Sequence, residues 1–262
     1  MMRALWTAGS GMLTQQMNVD TIANNLSNVN TIGYKKMRAE FEDLLYQTIR
    51  EAGTSTTQGR SLPTGLQVGH GSRTVATTKI FTQGDFQQTD NPLDLLIGGD
   101  GFFQIQMPDG TIQYTRNGAF KVDSEGRLVT AEGFYLEPEI TIPEGVTEIS
   151  FSQDGVVSIV MPGETIPEEI GQLEIVRFIN PAGLINDGNS LYRQSAASGT
   201  PLVTTPGNDG AGTIIQNYLE MSNVKVVEEM INMIVAQRAY DINSKAVQAS
   251  DEMLQTANTL RR

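Results

Sequence analysis

Two stretches of apolar residues spaced by seven frame this chain, and between them the spacing shortens to the alternation of strands. Near the start, Leu5, Met12, Val19 and Leu26 sit seven apart, and Ala8, Gln15, Ile22 and Val29 form a companion series with one polar lapse. This repeat predicts a helix over residues 2–29, roughly 42 Å long. Trp6, Leu13 and Met17 widen its stripe beyond a narrow coiled-coil seam. Gly9 and Gly11 each weaken the helix by about 1 kcal/mol relative to Ala and mark close approach or a bend. Asn28, Asn30, Thr31 and Gly33 supply the turn chemistry that ends it.

At the other end, Val226, Met233, Tyr240, Val247 and Leu254 repeat at seven. Val227, Met230, Ile231, Ile234 and Val235 add a second face in the first half, and Ala246, Ala249, Met253, Ala257 and Leu260 do so in the second. A helix over residues 222–260 follows, with Ser222, or Asn223 beside it, as N-cap. Glu228 and Glu229 suit the positive end of its dipole, and Arg261 and Arg262 the negative end. Periodicity leaves two arrangements open. The helices form one hairpin over a β-domain, or they pack against further copies of the chain. Apolar surface on two faces favours the second.

The middle reads as hairpins. Residues 101–107 and 111–115 flank Pro108-Asp109-Gly110. Residues 120–122 and 127–130 flank Asp123-Ser124-Glu125-Gly126, and residues 149–152 and 156–160 flank Gln153-Asp154-Gly155. Leu173 to Phe178 reads as a further strand. Residues 46–70 are polar and punctuated, and alone would be a flexible loop. Thr200 to Gly212 reads as a second connector. The fold class is therefore α+β, with long terminal helices packed as a coiled-coil-like core domain (1–45 plus 216–262), an extended insertion (46–70) and a central all-β domain (71–215).

Charge sharpens this division. The 262 residues carry a net −12, yet residues 74–215 alone hold 19 acidic and 6 basic side chains. The body is acidic and the ends are nearly neutral, so the ends can be buried against like copies with little repulsion. Nucleic acid needs clustered Lys and Arg and is not an expected partner. The absence of Cys excludes disulfides and thiolate chemistry. The first ten residues show no cleavable signal pattern, and no apolar stretch approaches the length of a membrane span.

Candidate chemistry is sparse. The single histidine, His70, lies in Gly69-His70-Gly71 and reads as a surface turn, because a metal site or general base needs positioned partners. Gly98-Gly99-Asp100-Gly101 precedes a strand rather than a helix and reads as a turn, not a phosphate loop. Glu168-Glu169 reads as solvated surface. Asp90, Asp94, Asp100 and Asp109 lack the spacing of a calcium loop. No catalytic, metal or cofactor-binding residue is expected, and no small-molecule substrate.

The segment Ala23-Asn24-Asn25-Leu26-Ser27-Asn28-Val29-Asn30-Thr31-Ile32-Gly33-Tyr34-Lys35-Lys36 resembles the N-terminal motif of the bacterial flagellar rod and hook protein family. Residues 226–234 and Gln237-Arg238-Ala239-Tyr240-Asp241-Ile242-Asn243-Ser244-Lys245 resemble that family's other end. Gly99-Asp100-Gly101-Phe102-Phe103 and Tyr114-Thr115-Arg116-Asn117-Gly118-Ala119-Phe120 agree in the middle. Leu62, Pro63, Gly65 and Leu66 lie in a stretch similar to the insertion of the branch that builds the distal rod, and residues 219–224 fit that branch as well.

The resemblance implies a structural subunit, not an enzyme, of a straight rigid helical tube. It implies Asn24, Asn25, Asn28, Thr31, Gly33, Gln237, Arg238 and Asn243 as family positions, and residues 62–66 as a stiffening element. Subunit packing would fall to Leu5, Met12, Val19, Ile22 and Leu26, and to Val226, Met230, Met233, Ile234, Tyr240, Val247 and Leu254. Implied partners are like subunits, proximal rod proteins, the hook protein, the L/P ring around the rod and the flagellar type III export apparatus. A proximal rod or hook subunit is the nearest alternative. A periplasmic glycan-acting β-domain protein would need a pair of tuned carboxylates, and no convincing pair stands out.

Overall fold

The structure, a computed structural model, describes residues 2–52, 63–163 and 166–259. Long helices occupy the ends, α1 over Met2–Ser27 and α2 over Val226–Thr259, and short strands fill the middle. The expected Leu260, Arg261 and Arg262 at the last turn lie outside the described residues. The chain forms two compact units. A helical unit comprises Met1–Ser27, Met37–Thr78 and Lys225–Arg262, and a β unit comprises Asn28–Lys36 and Lys79–Val224. These borders do not coincide with 45, 70 and 215. Strand Ser72–Lys79 pairs with strand Met37–Asp43, whereas side-chain ties bind residues 28–36 to residues 216–224.

In the helical unit α1 and α2 pack against each other through small and polar side chains. The buried positions are Ala8, Thr14, Thr21, Ile22 and Asn25 on α1, and Glu229, Ala236 and Ser250 on α2. Half-buried Asn243 completes a seven-residue series through Glu229, Ala236 and Ser250. Gly11 lets the backbones close, because a Cβ there would lie 2.8 Å from the Asn243 Nδ2. Gly9 has open space instead. The seam hydroxyls bond back to their own helices, Thr21 to the Met17 carbonyl and Ser250 to the Ala246 carbonyl, each at 2.8 Å. Their burial therefore leaves no donor unmet.

Residues expected to form a loop are partly paired. Strands Tyr46–Arg50 and Leu66–Gly69 run antiparallel from Tyr46 opposite Gly69 to Arg50 opposite Leu66. Ser222 does not cap α2, which begins at Val226. Its Oγ accepts instead from the Val224 N–H. Asn223 takes the Lys36 N–H on its Oδ1 at 2.7 Å and donates to the Ile80 carbonyl at 2.8 Å, which explains why these polar residues precede the helix without starting it.

The β unit centres on an antiparallel sheet. Its order runs through Ile185–Gly188, Leu191–Arg193, Ile112–Thr115, Phe103–Gln106, Tyr135–Glu137, Leu128–Val129 and Lys121–Val122. All three expected hairpins are present. The expected strand at 173–178 spans Ile175–Arg177 and pairs with Leu202–Thr204, inside the stretch read as a connector. Leu95, Ile97, Phe103, Phe120, Leu136 and Leu173 form the main core.

Gly118 anchors this unit. Its carbonyl accepts the Leu95 N–H at 3.0 Å, and an added Cβ would meet the Leu95 oxygen at 1.6 Å. Backbone cannot yield as a side-chain tip can. Gly118→Ala should therefore lower stability by about 3 kcal/mol or more, at the upper end of overpacking costs. Urea unfolding of the variant checks this, and an unchanged midpoint would show that the loop yields freely.

Candidate functional site

The helices leave much of their apolar surface uncovered. Because mostly small and polar residues, with Ile22, build the seam, most of the large apolar ones point elsewhere. On α1, Trp6 is 76% and Leu13 70% exposed, with Met2 and Met17 beside them on one stripe. On α2, Val227, Met230, Ile231, Ile234 and Val235 follow the helical spacing and are all exposed, with Ile242 further along. Leu5, Trp6, Gly9, Ser10 and Leu13 also outline an apolar groove of about 380 Å³ along α1.

The residues expected at subunit contacts divide between these surfaces. Ile22 is buried in the seam. Leu5, Met12, Val19, Leu26, Met233, Val247 and Leu254 are half-buried, and Val226, Met230, Ile234 and Tyr240 are exposed. In the insertion Pro63, Gly65 and Leu66 are exposed, and Leu62 lies outside the described residues. Leu45, Tyr46 and Ile49 are exposed large side chains on or beside the same hairpin.

The motif residues have structural work that sequence reasoning could not assign. Asn25, in the helical unit, acts as a strand mimic. Its Oδ1 takes the Met37 N–H at 2.9 Å and its Nδ2 donates to the Met37 carbonyl at 2.8 Å, with Glu229 Oε2 at 3.3 Å. Asn24, Gln237 and Arg238 are exposed. In the β unit Asn28 takes the Thr31 hydroxyl on its Oδ1, closing the turn that α1 runs into. Gly33 has φ +68°, and its missing Cβ makes room for the Arg116–Asn117 peptide at 2.7 Å.

The β unit also holds a buried ionic cluster. Glu220 Oε1 receives the Lys35 Nζ at 2.5 Å and the Gly84 N–H at 2.9 Å, and its Oε2 lies 3.4 Å from the Arg116 Nη1. Lys35 donates again to the Thr82 carbonyl. All three side chains are almost wholly removed from solvent. Burial pushes Lys35 below the usual lysine range, and the Glu220 carboxylate opposes that shift. Lys35 belongs to the N-terminal motif, Arg116 to the middle one and Glu220 to the stretch before α2. The cluster thus ties together segments that are distant in sequence.

Lys79 lies near an aromatic pair, 4.5 Å from the Tyr192 ring centre and 5.6 Å from that of Tyr34. Burial lowers its pKa from 10.5 to about 8. Between these values the unfolded chain holds a proton that the folded chain has released, so stability rises with pH across the window. The urea midpoint should therefore climb from about pH 7.5 to about pH 9.5, and less in Lys79→Met than in the parent. Equal slopes would mean that Lys79 titrates in the fold as it does in water.

What this arrangement can do is pack. Among the described residues there is no grouping of His, Asp and Glu suited to a metal ion. Family models match three stretches: "Flagella basal body rod protein" at residues 5–35, "Flagellar hook protein FlgE/F/G D1 domain" at residues 96–159, and "Flagellar basal body rod FlgEFG protein C-terminal" at residues 215–260. Whole-chain relatives agree. The chain is 55% identical to the Flagellar basal-body rod protein FlgG of Borreliella burgdorferi, with both chains covered in full. It is 45% identical to that of Caulobacter vibrioides, over 99% of this chain and all of the relative, and 41% identical to that of Bacillus subtilis, over all of both.

Proposed function

The chain belongs to the flagellar basal-body rod protein family, and on that premise we propose that it builds the distal part of the rod, as a straight stiff tube carrying torque from motor to hook. It is a structural subunit and not an enzyme. One observation carries the assembly reading: the buried positions of α1 and α2 are mostly small or polar, and most of their large apolar side chains face outward. Burying one such side chain is worth about 1.5–3 kcal/mol, so covering both stripes with neighbouring copies gives a strong drive to polymerise.

In this reading Leu5, Met12, Val19, Ile22 and Leu26, with Val226, Met230, Met233, Ile234, Tyr240, Val247 and Leu254, form the packed core of the tube. The hairpin that ends at Pro63, Gly65 and Leu66 fills space between neighbours and resists bending. The partners are further copies, proximal rod proteins, the hook protein, the L/P ring and the type III export apparatus. The rod crosses the periplasm toward the outer membrane. Full-length likeness to proteins named Flagellar basal-body rod protein FlgG supports a rod subunit over a hook subunit, and the distal placement is consistent with it.

Electron microscopy of tubes grown from purified protein tests this. Straight tubes from the parent chain and curved ones after deletion of residues 47–66 are the expected result. Tubes that stay straight without the insertion would favour the proximal reading.

A further inference from the structure

Arg116 is satisfied on one side only. Its Nη1 donates to the Ile97 carbonyl and to Glu220 Oε2, both at 3.4 Å. Its Nε is buried and has no hydrogen-bond partner among the described residues. The edge left over is the one that grips a carboxylate through two parallel bonds. Arg116 also borders a cavity of about 180 Å³, smaller than the roughly 300 Å³ at which small-molecule sites begin. Phe102 lies under the guanidinium at 5.3 Å, and Phe81, Phe178 and Pro181 supply further apolar wall. Arg177, Asp100 and Ile179, itself 81% exposed, also border the cavity. Lys35, Arg116 and Arg177 outnumber Glu220 and Asp100 by one positive charge. The cavity is thus lined by aromatic rings, sized for one short side chain, and short of one anion.

We propose that this cavity receives an Asp or Glu side chain from a second copy of the chain, its carboxylate on Arg116 and its stem between the aromatic walls. The proposal rests on the assembly reading above. A second copy suits the chemistry because residues 74–215 carry 19 acidic side chains against 6 basic ones, so a neighbouring β unit offers many carboxylates and few competing cations. A phosphate dianion would bring two charges to a site lacking one and would face Asp100.

The test uses the full chain and avoids the ion cluster. In the nitrogen-15-labelled, unassembled protein, sodium propionate is titrated against a sodium chloride control while the Arg116 Nε–H resonance is followed. Ile179→Glu places a carboxylate at the cavity border of its own chain, and Ile166→Glu makes the same charge change at an exposed site that does not border it. The expected result is a saturable shift in the parent and in Ile166→Glu but not in Ile179→Glu, with tube growth slowed at least about tenfold in Ile179→Glu alone. Absence of a saturable shift overturns the pocket. A shift with equal tube growth in both variants overturns the second copy as source and leaves a free carboxylate as occupant. A parent that folds but grows no tubes refutes the assembly reading and with it the second copy, whereas the resonance still decides whether the cavity takes a carboxylate.

Discussion

Ile231→Asp should give a protein that folds like the parent and does not polymerise. Ile231 is exposed in the single chain, so an aspartate there meets water and costs the monomer little. In the proposed tube the same position is covered. An unpaired carboxylate buried against a neighbour costs about 3–5 kcal/mol, roughly a hundredfold or more in the equilibrium of each addition. Val235→Asp, one turn further along the same stripe, should behave alike. Circular dichroism and urea unfolding report the fold, and sedimentation reports the polymer. A variant that sediments with the parent's polymer would place this face of α2 in solvent.

Glu220→Gln should have the largest effect on stability. The substitution keeps the shape and removes the carboxylate that contacts both Lys35 and Arg116 directly. Two cations then stay buried without their partner, at a cost of about 3–5 kcal/mol. Adding Lys35→Met removes one of those charges and should restore part of the loss, because a buried ion pair replaced by apolar groups is often neutral. If the single and double variants unfold at the same urea concentration, Lys35 is not held by Glu220.

The terminal helices were legible because a seven-residue repeat survives without knowledge of any partner. On α1 the series through Ala8 and Ile22 did mark buried positions, whereas the inward face of α2 was not legible. The repeat drawn through Met233, Tyr240, Val247 and Leu254 borders the seam, while the seam itself runs through Glu229, Ala236, Asn243 and Ser250. Small and polar residues carry little weight in a hydrophobic pattern, yet they permit the closest approach, as Gly11 against Asn243 shows. The hairpins at 101–115, 120–130 and 149–160 were legible from their turn residues. The pairing of Tyr46–Arg50 with Leu66–Gly69 was hidden by polar composition.

The ionic cluster was beyond sequence reasoning for another reason. Lys35 and Glu220 are 185 positions apart, and Arg116 lies 104 from Glu220. Each reads locally as a surface charge, since Lys, Arg and Glu are almost never buried unless paired. The motif that contains Lys35 was visible, but its role as one end of a buried pair became apparent only with the fold.

That the outward stripes of α1 and α2 are covered by copies of the same chain can be tested with one thiol. The chain has no cysteine, so Ile234→Cys gives a single reporter on the α2 stripe. Maleimide labelling of that thiol is compared between free subunits and isolated rods. The account predicts rapid labelling of the free chain and strong protection in the rod, with Lys121→Cys on the exposed β surface labelling equally in both. Equal labelling of the 234 thiol in chain and rod would contradict it.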